Sequence, residues 1–385
     1  MTAPLLNPRL TGFACIRCAA TYPVADYLEG CPSCLAQGFP ASVAAQFDTL
    51  PPLARAGTGH GLQRFADRLG YTCFPSLGEG DTPLLPLHRL ATELDLDALH
   101  IKCESANPTG SHKDRMSAQF IARALDIGAP GVVAASSGNA GASLAAYAAA
   151  AGLACTIVSM PAMPGPWRRA IEMAGASIHI EPDSLSRWRH VRELVRERGW
   201  LPATNYLNPP VGSHPFGVDG YKTLGYELAE SEACIAADVI IVPTARGDLL
   251  WGIYRGLQEQ VDEKRLGSLP RLVAVDPFAR LSRVLAGDDY RANFAGSSPL
   301  VSINGPTVTY QSVAALEGSH GLAVAVDADQ AIADQVRLAL EGLYLELSSA
   351  ASLSALRVLK SHDRSIRRAV LVGTSSGYKE ETRRA

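Results

Sequence analysis

The stretch Asn107-Pro108-Thr109-Gly110-Ser111-His112-Lys113-Asp114-Arg115 presents one lysine on a glycine- and proline-shaped loop that enters a helix. A lysine amine attacks a carbonyl only after its ammonium loses a proton. That takes partial desolvation or cationic neighbours, and His112 and Arg115 supply the latter. A lone lysine at a helix start is most often a surface residue, so its meaning depends on what the rest of the chain places around it.

From about residue 96 onward, short β-branched or apolar runs alternate with alanine- and charge-rich helical stretches. Strands are predicted at 99–102, 131–135, 154–159, 177–181, 238–242, 272–276 and 369–373. Near-continuous apolar strands separated by helices imply parallel sheet covered on both faces, an α/β class. Ligands of open α/β sheets bind at the carboxyl ends of the strands, and three polar clusters stand there. Ser136-Ser137-Gly138-Asn139-Ala140 follows the second strand, where helix-start amides and hydroxyls form either an anion cradle or an ordinary helix cap. Thr244-Ala245-Arg246-Gly247-Asp248 follows the fifth. Thr374-Ser375-Ser376-Gly377 follows the last, as a hydroxyl cluster or a turn of small residues.

At 385 residues the chain exceeds what one core usually holds, so two or three domains are expected. With 47% hydrophobic and 19% charged residues it reads as folded rather than disordered. A formal net charge of −3 gives no electrostatic reason to expect nucleic acid or an anionic membrane as partner. The N-terminal residues lack the apolar core of a secretory signal, and no run of about 18 apolar residues occurs, so a cytoplasmic protein is expected. Cys15-Ile16-Arg17-Cys18 and Cys31-Pro32-Ser33-Cys34 form two knuckles suited to a structural zinc, because four thiolates leave no open position; a degenerate ribbon without metal is the alternative. Residues 1–48 carry only Arg9 and Arg17 against Asp26, Glu29 and Asp48, which argues against a nucleic-acid module. The arginine-rich run 186–198 is interspersed with Glu193 and Glu197 and reads as a solvated helix face.

Taken in order across residues 76 to 378, these clusters resemble the pyridoxal-phosphate enzymes of the tryptophan synthase β-subunit type (fold type II), and within them threonine synthases, some of which carry an N-terminal ribbon. Weaker matches are Ser76-Leu77-Gly78-Glu79-Gly80-Asp81-Thr82-Pro83-Leu84, Asp219-Gly220-Tyr221-Lys222-Thr223, and Glu341 to Glu346 leading into Ser348-Ser349-Ala350-Ala351. The resemblance implies two parallel-sheet α/β domains behind the ribbon: 1–45 as a zinc-ribbon-like segment, 46–115 with 205–385 as the large cofactor domain, and 116–204 as the small domain.

It also implies that Lys113 carries the cofactor as a Schiff base and that Asn139 bonds the cofactor's phenolic oxygen. Ser136, Ser137, Gly138, Asn139 and Ala140 would hold a substrate carboxylate, and Thr244, Ala245, Arg246, Gly247 and Asp248 the cofactor phosphate. Thr374 or Ser375 would meet the pyridine nitrogen. The phosphate loop departs from the family's glycine-rich pattern: only Gly247 remains, Arg246 could compensate, and Asp248 would repel phosphate unless turned to solvent. His112 stands where an aromatic residue is usual. The implied activity is that of a carbon–oxygen lyase acting on a small amino acid, in threonine synthase on O-phosphohomoserine, with Arg115, Lys222 and Arg246 as candidates for the substrate phosphate. The alternatives are an ammonia-lyase, dehydratase or β-replacement enzyme on serine, threonine, diaminopropionate or a related amino acid, and a catalytically inactive zinc-ribbon interaction protein. The usual assembly of the family is a homodimer.

Overall fold

The computed structural model describes residues 3–53 and 59–381. The chain forms two compact units. One comprises Met1–Asp81, Asn107–Gly220 and Lys379–Ala385; the other comprises Thr82–Ala106 and Tyr221–Tyr378.

The first unit is built on a four-stranded parallel sheet in the order Ser177–Ile180, Cys155–Ser159, Val132–Ala135, Leu201–Pro202. The two central strands are buried throughout, as their unbroken apolar or β-branched runs require. Helices Lys113–Asp126, Asn139–Ala151, Gly165–Met173 and Ser184–Arg198 accompany the sheet. The last begins two residues before the predicted run, because the Asp183 carboxylate accepts the Ser186 N–H at 2.8 Å and caps it.

The N-terminal ribbon belongs to this unit. Its three antiparallel strands, Thr21–Tyr22, Leu10–Cys15 and Val43–Phe47, sit beside the cysteine knuckles. The ribbon is fastened to the body by a bidentate pair: Arg123 Nε and Nη2 each donate to Asp26 at 2.8 Å, and His214 Nε2 lies 3.2 Å from the same carboxylate. Against the upward push of burial, His214 and Arg123 hold Asp26 well below the usual carboxylate range. Phe13 adds an edge-on contact with Phe216, whose ring also lies under Arg123.

The second unit holds a six-stranded sheet in the order Leu322–Ala325, Arg271–Asp276, Val239–Pro243, Arg368–Gly373, Ala98–Cys103, Leu84–Pro86. All neighbours are parallel except the last pair. Every predicted strand is present within two residues of its expected bounds. The short strands Leu201–Pro202 and Leu84–Pro86 and the half-exposed Leu322–Ala325 carry too weak a pattern to be read beforehand.

In this unit the helices Lys222–Ala229 and Asp248–Asp262 cross backbone to backbone. A Cβ on Gly256 would stand 2.2 Å from the Lys222 carbonyl oxygen, and one on Gly225 2.6 Å from that of Ile253. The crossing sets where the second helix starts, and hence where the polar loop before it lies. Gly256→Ala is expected to lower stability by about 1–3 kcal/mol, the cost of forcing a methyl into a filled contact. A fall in the urea midpoint at unchanged m-value checks it.

Candidate active site

Lys113 is half-buried and opens the helix Lys113–Asp126. The residue after it fixes the loop before it. Asp114 is fully buried and accepts the Thr109 N–H at 2.6 Å, the Thr109 hydroxyl at 2.5 Å and the Ser143 hydroxyl at 2.6 Å. One carboxylate therefore ties the turn 107–110 to the lysine helix and to the helix Asn139–Ala151. The Asn107 side chain accepts the Gly80 N–H at 2.9 Å, so the entry segment ends on the same loop. Arg115, one of the expected phosphate candidates, is fully buried.

In the second cluster, the Ser136 hydroxyl accepts the N–H groups of Gly138 at 3.2 Å and Gly141 at 2.9 Å, so that oxygen caps the helix start. Ser137 instead receives Arg187 Nη1 at 3.2 Å and the Ser159 hydroxyl at 3.0 Å. This corrects the solvated-face reading of 186–198. Arg189, Arg196 and Arg198 are exposed as expected, whereas Arg187 is 8% exposed and lies with buried Trp188 and Val191. Asn139, also buried, accepts Trp167 Nε1 at 3.2 Å and Lys379 Nζ at 2.5 Å on its Oδ1.

The second unit carries the other two clusters. Gly247 adopts φ 82°, and a Cβ there would stand 2.4 Å from Ser312 Cβ, so the turn into helix Asp248–Asp262 demands glycine. Arg280, buried and held by backbone carbonyls, donates to Thr244 O at 2.8 Å and to Thr307 O at 3.1 Å, fixing the loop from behind. Burial pushes the Arg280 guanidinium down to about 10. Asp248 does not turn to solvent: it is buried, and its carboxylate is taken by the Gln311 amide at the positive end of its helix. Lys222 is likewise not a free cation for an anionic ligand, since it is buried 3.3 Å from Glu259, which also accepts the Tyr226 hydroxyl. At the end of the last strand, the Thr374 hydroxyl and the Ser375 N–H both meet Ser349 Oγ, at 2.7 and 2.9 Å.

In the ribbon, one ligand atom from each of Cys15, Cys18, Cys31 and Cys34 lies within 4.8 Å of the other three. The Cys15–Cys34 and Cys18–Cys31 sulfur distances are 3.6 and 3.7 Å. A tetrahedral site with metal–sulfur bonds near 2.3 Å has edges of about 3.8 Å.

Residues 75–375 match the family of "Pyridoxal-phosphate dependent enzyme". The chain belongs to that family.

Threonine synthase of Methanocaldococcus jannaschii is 30% identical over 319 residues, covering 79% of this chain and 76% of the relative. That of Halalkalibacterium halodurans is 29% identical over 288 residues, 73% of this chain and 77% of the relative. Among solved structures, an L-serine ammonia-lyase from Rhizomucor miehei superposes with a TM-score of 0.65 at 22% identity, covering 77% of this chain and 93% of that one. An O-ureido-L-serine synthase gives 0.64 at 23% identity, covering 77% and 90%. The architecture is that of fold type II. The protein is a threonine synthase-like carbon–oxygen lyase that depends on pyridoxal phosphate and acts on a small amino acid, so the reading as an inactive interaction protein falls away. Among the described residues, no helix is long and apolar enough to cross a membrane.

The residues present fit the cofactor. Arg246 Nε is enclosed and has no hydrogen-bond partner among the described residues, beside amides that open a fifteen-residue helix. A buried guanidinium edge and helix-start amides call for an anion such as a phosphate. Nothing local in the sequence points to Lys379, Trp167 or Arg280, each of which acts through a distant partner. Arg187 had one: it adjoins the Trp188, Val191 and Val195 face of its helix.

Burial pushes the Asp114 carboxyl up to about 6, against the opposing pull of Ser143, Thr109 and the charge of Lys379. The folded protein therefore holds this proton more tightly than the unfolded chain does. Its stabilising contribution is complete below about pH 4 and lost as the pH rises through about 6, a change of about 3 kcal/mol. Urea denaturation of the cofactor-free protein across pH 4–8 should show that slope, and Asp114→Asn should flatten it.

Proposed function

We propose that the enzyme acts on a phosphorylated amino acid, converting O-phosphohomoserine and water to threonine and phosphate, with phosphate leaving from Cγ and water adding at Cβ. The observation that carries this reading is Arg187: a buried guanidinium at hydrogen-bond distance from Ser137, inside the loop assigned to the substrate. Serine, threonine or diaminopropionate would offer such a cation no anion beyond the carboxylate, whereas a phosphate ester pairs well with a guanidinium.

In this reading Lys113 carries the cofactor and its amine afterwards takes the proton from the substrate Cα. The helix-start amides of Asn139 and Ala140, with the Ser137 end of the loop, hold the α-carboxylate, Ser137 and Arg187 face the phosphate end, and the Ser136 hydroxyl keeps the loop in shape through its cap. Asn139 donates to the cofactor's phenolic oxygen. In the second unit, the loop 244–248 with Arg246 serves the cofactor phosphate, and Thr374 or Ser375 serves the pyridine nitrogen. Pyridoxal phosphate, when bound, supplies the electron sink that lets bonds at the substrate carbon break. A hydroxyl at the pyridine nitrogen does not force that nitrogen to stay protonated, which favours elimination and replacement over transamination. The same reading takes the enzyme as a cytoplasmic homodimer without nucleic-acid or membrane partners.

Incubation with O-phosphohomoserine, serine, threonine and diaminopropionate, with phosphate, ammonia and threonine assayed separately, should give phosphate and threonine in equal amounts from the first substrate alone. Ammonia without phosphate would replace this reading by an ammonia-lyase. Arg187→Ala is expected to raise KM for the phosphorylated substrate on the order of 10- to 100-fold, the loss of one charged hydrogen bond, while leaving cofactor uptake intact.

The ribbon thiols are read as a structural zinc site, supported by sulfur spacings close to a tetrahedral edge. Metal analysis should find one zinc per chain, lost in Cys31→Ser together with several degrees of thermal stability. Stoichiometric zinc in that variant would count against a four-cysteine site.

A further inference from the structure

We propose that Lys379 is a positioning residue that fixes the amide of Asn139, so that the side-chain nitrogen, not the oxygen, is presented to the cofactor. The inference rests on the assignment of Asn139 to the cofactor's phenolic oxygen. An asparagine amide has two nearly isosteric ends, one a donor and one an acceptor, and only its partners decide which end points where. Here two groups converge on one end: Lys379 Nζ at 2.5 Å and Trp167 Nε1 at 3.2 Å. An ammonium and an indole N–H can donate but not accept. The atom they share must be Oδ1, since a flipped amide would set N–H against N–H twice. The opposite end is then Nδ2, the donor that a phenolate oxygen requires.

The same ammonium donates to the carbonyls of Thr109 at 3.1 Å and Gly110 at 2.9 Å, in the turn that leads to Lys113. Three acceptors match the three hydrogens of a tripod, a geometry the planar fork of arginine does not reproduce. Lys379 is itself held in place. Two residues on, the Glu381 carboxylate accepts the Gly165 N–H at 2.6 Å, at the start of the helix Gly165–Met173 that carries Trp167. Both donors to Oδ1 are thereby tied to one another. Lys379 lies four residues beyond the segment 75–375 matched by the family.

The test compares wild type, Lys379→Met, Lys379→Arg and Trp167→Phe. The dissociation constant for pyridoxal phosphate is measured by fluorescence titration of the cofactor-free proteins, with the pH at which the bound cofactor's visible absorption changes and the melting temperature of the cofactor-free state. Lys379→Met should weaken cofactor binding on the order of 10- to 100-fold. It should also move the absorption change to higher pH, because the deprotonated oxygen loses its oriented donor. Melting should be nearly unchanged. Lys379→Arg should not restore either property, and Trp167→Phe, which keeps the buried ring, should shift both in the same direction by less. Wild-type binding and an unmoved absorption change in Lys379→Met, or the same losses explained by an equal fall in melting temperature in both variants, would overturn the proposal. A wild-type protein that takes up no cofactor, or a Lys113→Ala variant that keeps the visible absorption, would instead overturn the reading beneath it.

Discussion

A buried parallel strand ends in peptide groups that its neighbours no longer pair, and in each unit of this protein the chain turns there directly into a helix. Val132–Ala135 hands over to 136–138 and the helix at Asn139, and Val239–Pro243 hands over to 244–247 and the helix at Asp248. Such junctions leave several N–H groups pointing the same way, with the positive end of a helix behind them. The residues around each junction accommodate that constraint. Ser136 consumes two of the amides as a cap, Gly247 takes a left-handed turn so that the helix can start without a clash, and Arg280 pins the Thr244 carbonyl from the side away from the loop.

Charge is handled in a consistent way around these junctions. Lys102 with Glu227, Lys222 with Glu259 and Arg123 with Asp26 are buried or half-buried pairs, each neutralised by a partner in its own unit. Pairs of this kind contribute little net stability but penalise any arrangement that separates them. They therefore act as registration marks for the elements they join. Arg187 and Arg246 are placed differently, Arg187 hydrogen-bonded to Ser137 and Arg246 within the strand-to-helix loop 244–248 itself.

The features legible in the sequence were those encoded locally. Runs such as Val239-Ile240-Ile241-Val242 can hardly be anything but buried parallel strand, the two cysteine knuckles announce themselves by spacing, and the loops after the strands stand out by composition. What stayed hidden depends on pairing across long separations. Arg187 looked like its exposed neighbours because Glu193 and Glu197 offered local partners to the whole run. Lys222 looked available because Glu259 is 37 residues away, and Asp248 looked misplaced because Gln311 is 63 residues away. A single lysine after the last strand has no period and no motif, so nothing short of the fold could connect Lys379 to Asn139 across 240 positions.

The path of the chain has a consequence for how the molecule is made. Neither unit is a continuous piece of sequence: the chain passes from one to the other four times, and the first unit receives its last segment only at Lys379. Synthesis proceeds from the N-terminus, and earlier segments begin to fold as they emerge. The ribbon, the lysine loop and the asparagine loop are all complete long before residue 379 is added, so the ammonium that joins the two loops arrives after both. A nascent chain can thus hold every residue of the family match and still lack the tie between Gly110 and Asn139, which forms only once residue 379 has been added.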